Sequence, residues 1–129
     1  VKRHPRCTYD RFSSRGFKVV SASDFPWEVA LMEEKAEEKV LLSISSTATI
    51  TPQLVLGKYI PAVQLFKMKP YGAAGPHCAN RNYRKYFACV YQYLNQEKRQ
   101  LFSPASLEEL KENLTYIDYM RWRRDECQR

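Results

Sequence analysis

The residues in this sequence that are best suited to chemistry are basic and aromatic, and they alternate over a short stretch. Arg81, Arg84 and Lys85 lie three and four positions apart, a spacing that places side chains on one face of a helix. Tyr83 and Tyr91 belong to the same predicted helix. Cations bind phosphates and exposed rings stack on unpaired bases, so the combination predicts a nucleic-acid-binding helix. The alternative is a solvated cationic face over aromatics that pack in the core.

Basic residues elsewhere in the chain extend this predicted surface. Lys67 and Lys69 precede the helix, and Lys2, Arg3 and Arg6 belong to an N-terminal segment with almost no apolar periodicity. Such a segment orders only on contact, and its cations can bind phosphates. A solubility feature or a sorting signal has the same composition, so both interpretations of the arm remain open.

The net charge is segregated along the chain. The 129 residues carry 21 Lys and Arg against 14 Asp and Glu, a formal charge of +7. From Lys39 to Gln96 there is no acidic residue, whereas seven Lys and Arg fall in that span. Segregated positive charge of this kind favours a polyanionic partner.

The four cysteines, Cys7, Cys78, Cys89 and Cys127, allow three disulfide pairings. An antiparallel helix pair would bring Cys89 close to Cys127 and leave Cys7 to pair with Cys78. Both bridges fit an oxidising compartment, whereas in a reducing one all four residues are free thiols. The compartment therefore stays open, with an intracellular one slightly favoured unless the cysteines are bonded.

The sequence predicts neither a metal site nor catalysis. His4 and Cys7 are spaced H-x-x-C, but His77 is adjacent to Cys78, which fits a zinc-binding ligand pair badly, and no cofactor-binding motif is present. Cys89 lies four residues after Lys85, whose charge would activate a thiol, but a buried helical cysteine is the favoured interpretation. We therefore expect a protein that is not an enzyme, with no metal and no cofactor.

These residues must be positioned by a small α+β fold. Alternation and β-branched residues predict about four strands, over 17–21, 27–32, 40–50 and 59–68. Pro61 would confine the last strand to a sheet edge or a bulge. Two C-terminal helices follow, over 80–96 and from 103–106 onwards. Ser106 and Glu109 form a capping box for the second helix, which is predicted to bury Leu107, Leu110, Leu114 and Ile117.

The sequence thus predicts a basic arm at 1–15 and a single domain at 16–129. That domain would be a small antiparallel sheet with two C-terminal helices packed on it. No apolar run is long enough to span a membrane. The function expected first is a non-catalytic binding module for a polyanion, foremost RNA or a single strand. The alternatives are a structural or adaptor subunit of a protein assembly and a secreted, disulfide-stapled interaction protein.

Overall fold

The computed structural model describes residues 1, 9–10, 12–19, 27–33, 38–44, 46–57, 59–68, 81–96 and 100–127. Within these ranges, positions 28, 30, 33 and 83 are described by their backbone alone. The chain forms two compact units, Val1–Ala36 and Glu37–Arg129. Most of the predicted arm, including Lys2, Arg3 and Arg6, lies outside the described residues.

In its described part, the first unit contains a short 3-10 turn and one helix. The carboxylate of Asp10 accepts hydrogen bonds from the N–H groups of Phe12 (2.8 Å) and Ser13 (3.1 Å), which starts the turn at Ser13–Arg15. Helix α1 covers Trp27–Glu33, where the sequence predicts a strand. That prediction is wrong because the segment is rich in Glu, Ala, Leu and Met, which are strong helix formers.

The second unit is an α/β domain in which each strand is followed by a helix. Its strands are β1 (Leu41–Ser43), β2 (Ala62–Gln64) and β3 (Leu101–Phe102). Its helices are α2 (Thr51–Leu56), α3 (Arg81–Leu94) and α4 (Leu107–Cys127). The central strand β2 pairs in parallel with both neighbours, in the order β1-β2-β3.

The predicted antiparallel sheet of about four strands is therefore wrong, and the main cause lies in 40–50. Of this segment, Leu41–Ser43 forms a strand. The side-chain hydroxyl groups that follow it bond to nearby backbone groups and so compete with the hydrogen bonds of a sheet. Ser46 Oγ accepts from the N–H of Ala48 (3.2 Å), and Thr49 Oγ1 donates to the carbonyl of Ser46 (2.8 Å). The chain consequently turns into α2, which supplies the crossover that a parallel pair requires.

The strand predicted over 59–68 shrinks to Ala62–Gln64, and it is central rather than at an edge. Pro61 immediately precedes it, and its carbonyl accepts from the N–H of Leu41 (2.9 Å). The N–H of Ala62, the first residue of β2, donates to the carbonyl of Gln100 on the other side (2.8 Å), so Pro61 lies just outside the strand and not within it. Two-residue β3 escaped prediction because so short a strand has no alternation.

One face of the sheet is covered by α4. Val63 and Phe102 form a buried cluster with Ile117, and Leu110 packs against it. The predicted stripe is confirmed at Leu110 and Ile117 and is wrong at its two exposed leucines, Leu107 and Leu114. A 21-residue helix is about 30 Å long, whereas a three-residue strand spans about 10 Å, so the sheet cannot cover the whole stripe.

Helix α3 is confirmed close to its predicted limits. Phe87, Val90 and Leu94 are buried, as the spacing predicts, whereas Tyr86 and Tyr93 of the same predicted stripe are exposed. Since parallel crossovers are right-handed and the strand order is sequential, α2 and α3 are expected on the same face of the sheet. The N-terminal half of α3 then lies at the carboxyl ends of the strands.

Candidate functional site

A cleft of about 380 Å³ opens where β2 and β3 end, and we call it the carboxyl-edge cleft. It is lined by Phe66, Lys67, Arg84, Phe87, Ala88, Tyr91 and Ser103. Phe66 and Lys67 follow β2, Ser103 follows β3, and the other residues belong to α3. The cleft therefore lies outside the carboxyl ends of the strands, the edge at which open parallel sheets bind ligands where the strand order reverses, although the order β1-β2-β3 contains no such reversal.

Aromatic rings form the wall of the cleft. Phe66 and Phe87 meet edge to face, with ring centroids 4.9 Å apart and planes at 82°. The ring of Tyr91 lies 6.1 Å from that of Phe87 at 36°. Phe87 is buried while Phe66 and Tyr91 are half-buried, so the wall is anchored in the core and still presents ring surface to the cleft. Such a wall suits a flat, apolar ligand group.

The charged groups among the described residues of the cleft are cationic. They are Lys67 and Arg84, which are both exposed, and no Asp or Glu belongs to this described lining. Arg81 and Lys85 are exposed on the same helix, three positions before and one after Arg84. We call Lys67, Arg81, Arg84 and Lys85 the basic face. A negatively charged ligand that enters the cleft therefore meets positive charge at its rim.

The structure brings part of the predicted site together. Lys67, Arg84 and Tyr91 line one cleft, and Arg81 and Lys85 are exposed on the helix that contributes most of it. The side chain of Tyr83 and the whole of Lys69 lie outside the described residues, as do the three cations of the arm.

Sequence reasoning missed three members of the cleft, Phe66, Ala88 and Ser103, and assigned Phe87 to the core alone. Phe66 and Ser103 are 37 positions apart in the sequence, and only the parallel order of β2 and β3 places them at one edge. A prediction of β3 and of its pairing with β2 would have placed Phe66 and Ser103 at the same edge of the sheet.

A second groove, of about 560 Å³, runs along α4 and differs in charge. It is lined by Lys111, Glu112, Thr115, Tyr116 and Tyr119. Its single lysine is followed by a glutamate, so the charges of the two side chains offset each other locally. This groove therefore presents less positive charge to a polyanion than the carboxyl-edge cleft does.

The cysteines of the two long helices carry free thiols. Cys89 and Cys127 are both exposed and unbonded, so the bridge proposed between them is not present. The exposure of Cys89 also corrects the expectation that it is a buried helical residue. Cys7 and Cys78 lie outside the described residues, as do His4 and His77. Within the described ranges, no group of three His, Cys, Asp or Glu is arranged to hold a metal ion.

Comparison of the chain with protein-family models, with curated proteins and with solved structures finds no match. In the part of the chain that the structure describes, no helix combines the length and the apolarity needed to cross a bilayer. Function must therefore be argued from the cleft itself.

Proposed function

We propose that this protein is a non-catalytic module that binds a single-stranded nucleic acid, foremost RNA, through the basic face. The observation that carries the proposal is the position of Lys67 and Arg84 at the rim of an aromatic cleft, with no carboxylate among the described residues that line it. Cations bind the phosphates, and aromatic rings bind bases that are not paired. An acidic ligand without rings would contact only the cations, and an uncharged aliphatic ligand would contact only the aromatic wall.

The electrostatics of the surrounding sequence support the same ligand. Residues 58–100 carry eight basic residues and a single acid, Glu97. A phosphate chain that leaves the cleft along the N-terminal half of α3 next meets Arg81 and Lys85, both of which are exposed. Release of condensed counterions from several phosphates favours such binding at low salt.

The lining of the cleft also supports a binding role without catalysis. Its described residues offer hydroxyl groups from Tyr91 and Ser103 and include no His, Cys, Asp or Glu to act as acid, base or activated nucleophile. Binding needs none of these groups. The proposal therefore includes no reaction step and no cofactor.

An adaptor role in a protein assembly is the second candidate, and a different surface favours it. Leu42, Ile44, Leu54 and Val55 are exposed large hydrophobic residues in or beside β1 and α2. Exposed apolar side chains that cluster in sequence are a feature of protein interfaces. The secreted, disulfide-stapled alternative gains no support from the free thiols of Cys89 and Cys127.

The test is a pair of charge reversals measured by fluorescence anisotropy with a labelled single-stranded oligonucleotide. We expect Arg84→Glu to weaken binding by about tenfold at moderate salt, because it removes a phosphate contact and adds repulsion. The control, Arg123→Glu, makes the same change in net charge at an exposed position of α4. It should alter affinity much less.

If both variants lose the same affinity for the oligonucleotide, binding depends on net charge alone and the cleft has no special role. If the wild type does not bind the oligonucleotide, the proposal is refuted. A pull-down treated with nuclease separates the adaptor role from this one. Protein partners that persist after complete digestion, with no oligonucleotide affinity, would favour the adaptor.

A further inference from the structure

We infer that the carboxyl-edge cleft holds one unpaired base of the bound strand, seated on the aromatic wall of Phe66, Phe87 and Tyr91. Lys67 and Arg84 then bind the phosphates that flank this base. The inference rests on the proposed function and narrows it, because it makes the protein a reader of exposed bases rather than of backbone charge alone. Nothing in the comparisons assigns such a site.

The size of the cleft fits a single base. A volume of about 380 Å³ lies near the lower end of the range of small-molecule pockets, about 300–1,000 Å³, so one planar ring system with its sugar fills it. A paired base inside a duplex exposes only its edges, whereas the wall offers ring surface for stacking. The base must therefore be unpaired before it can enter.

The composition of the cleft distinguishes a base from other flat or apolar ligands. The wall is aromatic and the charged groups of the described lining, Lys67 and Arg84, are cations, so the complementary ligand is flat, apolar and next to negative charge. A base between two phosphates has these properties. The hydroxyl groups of Tyr91 and Ser103 can bond the polar edge of the base, and apolar peptide side chains would leave them unused.

The test fills the cleft without changing any charge. Ala88 is an exposed residue of α3 that lines the cleft, so Ala88→Leu places a larger side chain where the base would lie. Gln92→Leu is the matched control, since Gln92 is exposed on the same helix and does not line the cleft. Leucine is a good helix former at both positions.

Three probes of equal length are compared with each protein: a single-stranded oligothymidylate, an abasic sugar-phosphate strand and a duplex. We expect the wild type to bind the oligothymidylate about tenfold more tightly than the abasic strand, a difference of about 1.4 kcal/mol. Ala88→Leu should lose this preference while it keeps its affinity for the abasic strand. Gln92→Leu should retain the preference.

A wild type that binds the oligothymidylate and the abasic strand equally would overturn the inference and leave the proposed function standing. Tighter binding of the duplex would also overturn it. Failure of the wild type to bind all three probes would instead refute the proposed function. Should circular dichroism show that Ala88→Leu is unfolded, Tyr91→Leu replaces it, with Tyr91→Phe as the variant that keeps the ring and the preference.

Discussion

Gln64 ends the central strand with no exposed surface, and its amide group connects the strand to the turn that follows β1. Its Nε2 donates to the carbonyl of Ser46 (3.0 Å) and to the hydroxyl of Thr49 (3.1 Å). These two bonds satisfy the buried Nε2, whereas the buried Oε1 has no hydrogen-bond partner among the described residues. This side chain therefore adds to the backbone bond from the N–H of Leu65 to the carbonyl of Ser43 (2.9 Å) in joining the carboxyl end of β2 to the segment after β1.

We predict that Gln64→Ala lowers the free energy of unfolding by about 2–4 kcal/mol, because it creates a cavity and removes both hydrogen bonds. Urea denaturation followed by circular dichroism measures the change. Gln92→Ala, at an exposed position of α3, is the control and should stay within about 0.5 kcal/mol of the wild type. Equal stability of the two variants would show that the Gln64 bonds contribute nothing.

A second single residue, Tyr59, makes the stability of the protein depend on pH. Burial raises the pKa of Tyr59 above its ordinary value of 10.0, although the nearby charge of Arg124 opposes this effect. The unfolded chain therefore releases the proton at a lower pH than the folded chain does. The resulting contribution to stability is complete below about pH 10 and is lost as the pH rises through the raised pKa.

We accordingly expect the urea midpoint of Tyr59→Phe to fall less steeply above about pH 10 than that of the wild type. A pH series of denaturation curves for both proteins provides the measurement. The guanidinium of Arg124 lies 4.7 Å from the centroid of the Tyr59 ring, a contact that phenylalanine keeps. Parallel decline of the two midpoints would contradict the assignment.

At the scale of elements, α4 begins with a capping box that the sequence predicts correctly. Ser106 Oγ accepts from the N–H of Glu109 (3.1 Å), and the Glu109 carboxylate accepts from the N–H of Ala105 (2.8 Å). In the usual motif the glutamate accepts from the N–H of the N-cap residue, here Ser106, whereas Glu109 accepts from the N–H of the residue before that cap. Local side-chain chemistry of this kind depends on neighbours in sequence, which is why it could be predicted.

We expect Ser106→Ala to destabilise the protein by about 1 kcal/mol, since it removes the acceptor for an N–H of the first turn. Differential scanning calorimetry should show a lower Tm. Ser106→Asp keeps an acceptor at the cap and serves as the rescue variant, which should restore most of the loss. A Tm that is unchanged in Ser106→Ala would mean that another group caps the helix.

Strand β3 shows what sequence patterns cannot supply. Asn95, just after α3, accepts at Oδ1 from the N–H groups of Gln100 (2.8 Å) and Leu101 (3.0 Å), and its Nδ2 donates to the carbonyl of Leu101 (3.0 Å). A single asparagine thus defines the start of a two-residue strand. No periodicity reveals such an element, and its absence from the prediction turned an alternating α/β order into strands followed by helices.

At the scale of the whole molecule, the sequence predicts charge better than it predicts topology. The absence of acids between Lys39 and Gln96 requires no knowledge of the fold, and it led to Lys67 and Arg84. The aromatic wall needs the parallel pairing of β2 with β3, which depends on contacts between distant segments. The cations of the site were therefore predictable, and the cleft between them was not.

The thiols give a prediction for the intact, unreduced protein. Because Cys89 and Cys127 are exposed and free, both should be alkylated in the folded protein without a reducing agent. Peptide mapping by mass spectrometry identifies the modified positions, and Cys89→Ser with Cys127→Ser should remove both adducts. A disulfide-linked peptide that contains either residue would contradict the structure and revive the secreted, disulfide-stapled alternative.

The salt dependence of single-strand binding tests the central claim most directly. The basic face comprises Lys67, Arg81, Arg84 and Lys85, all exposed. Contacts from all four to phosphates predict a slope of about −3 for the logarithm of the binding constant against the logarithm of salt concentration. Arg84→Gln should make the slope shallower by about 0.7. A flat response in the wild type would contradict the account, because no phosphate would then be bound by this face.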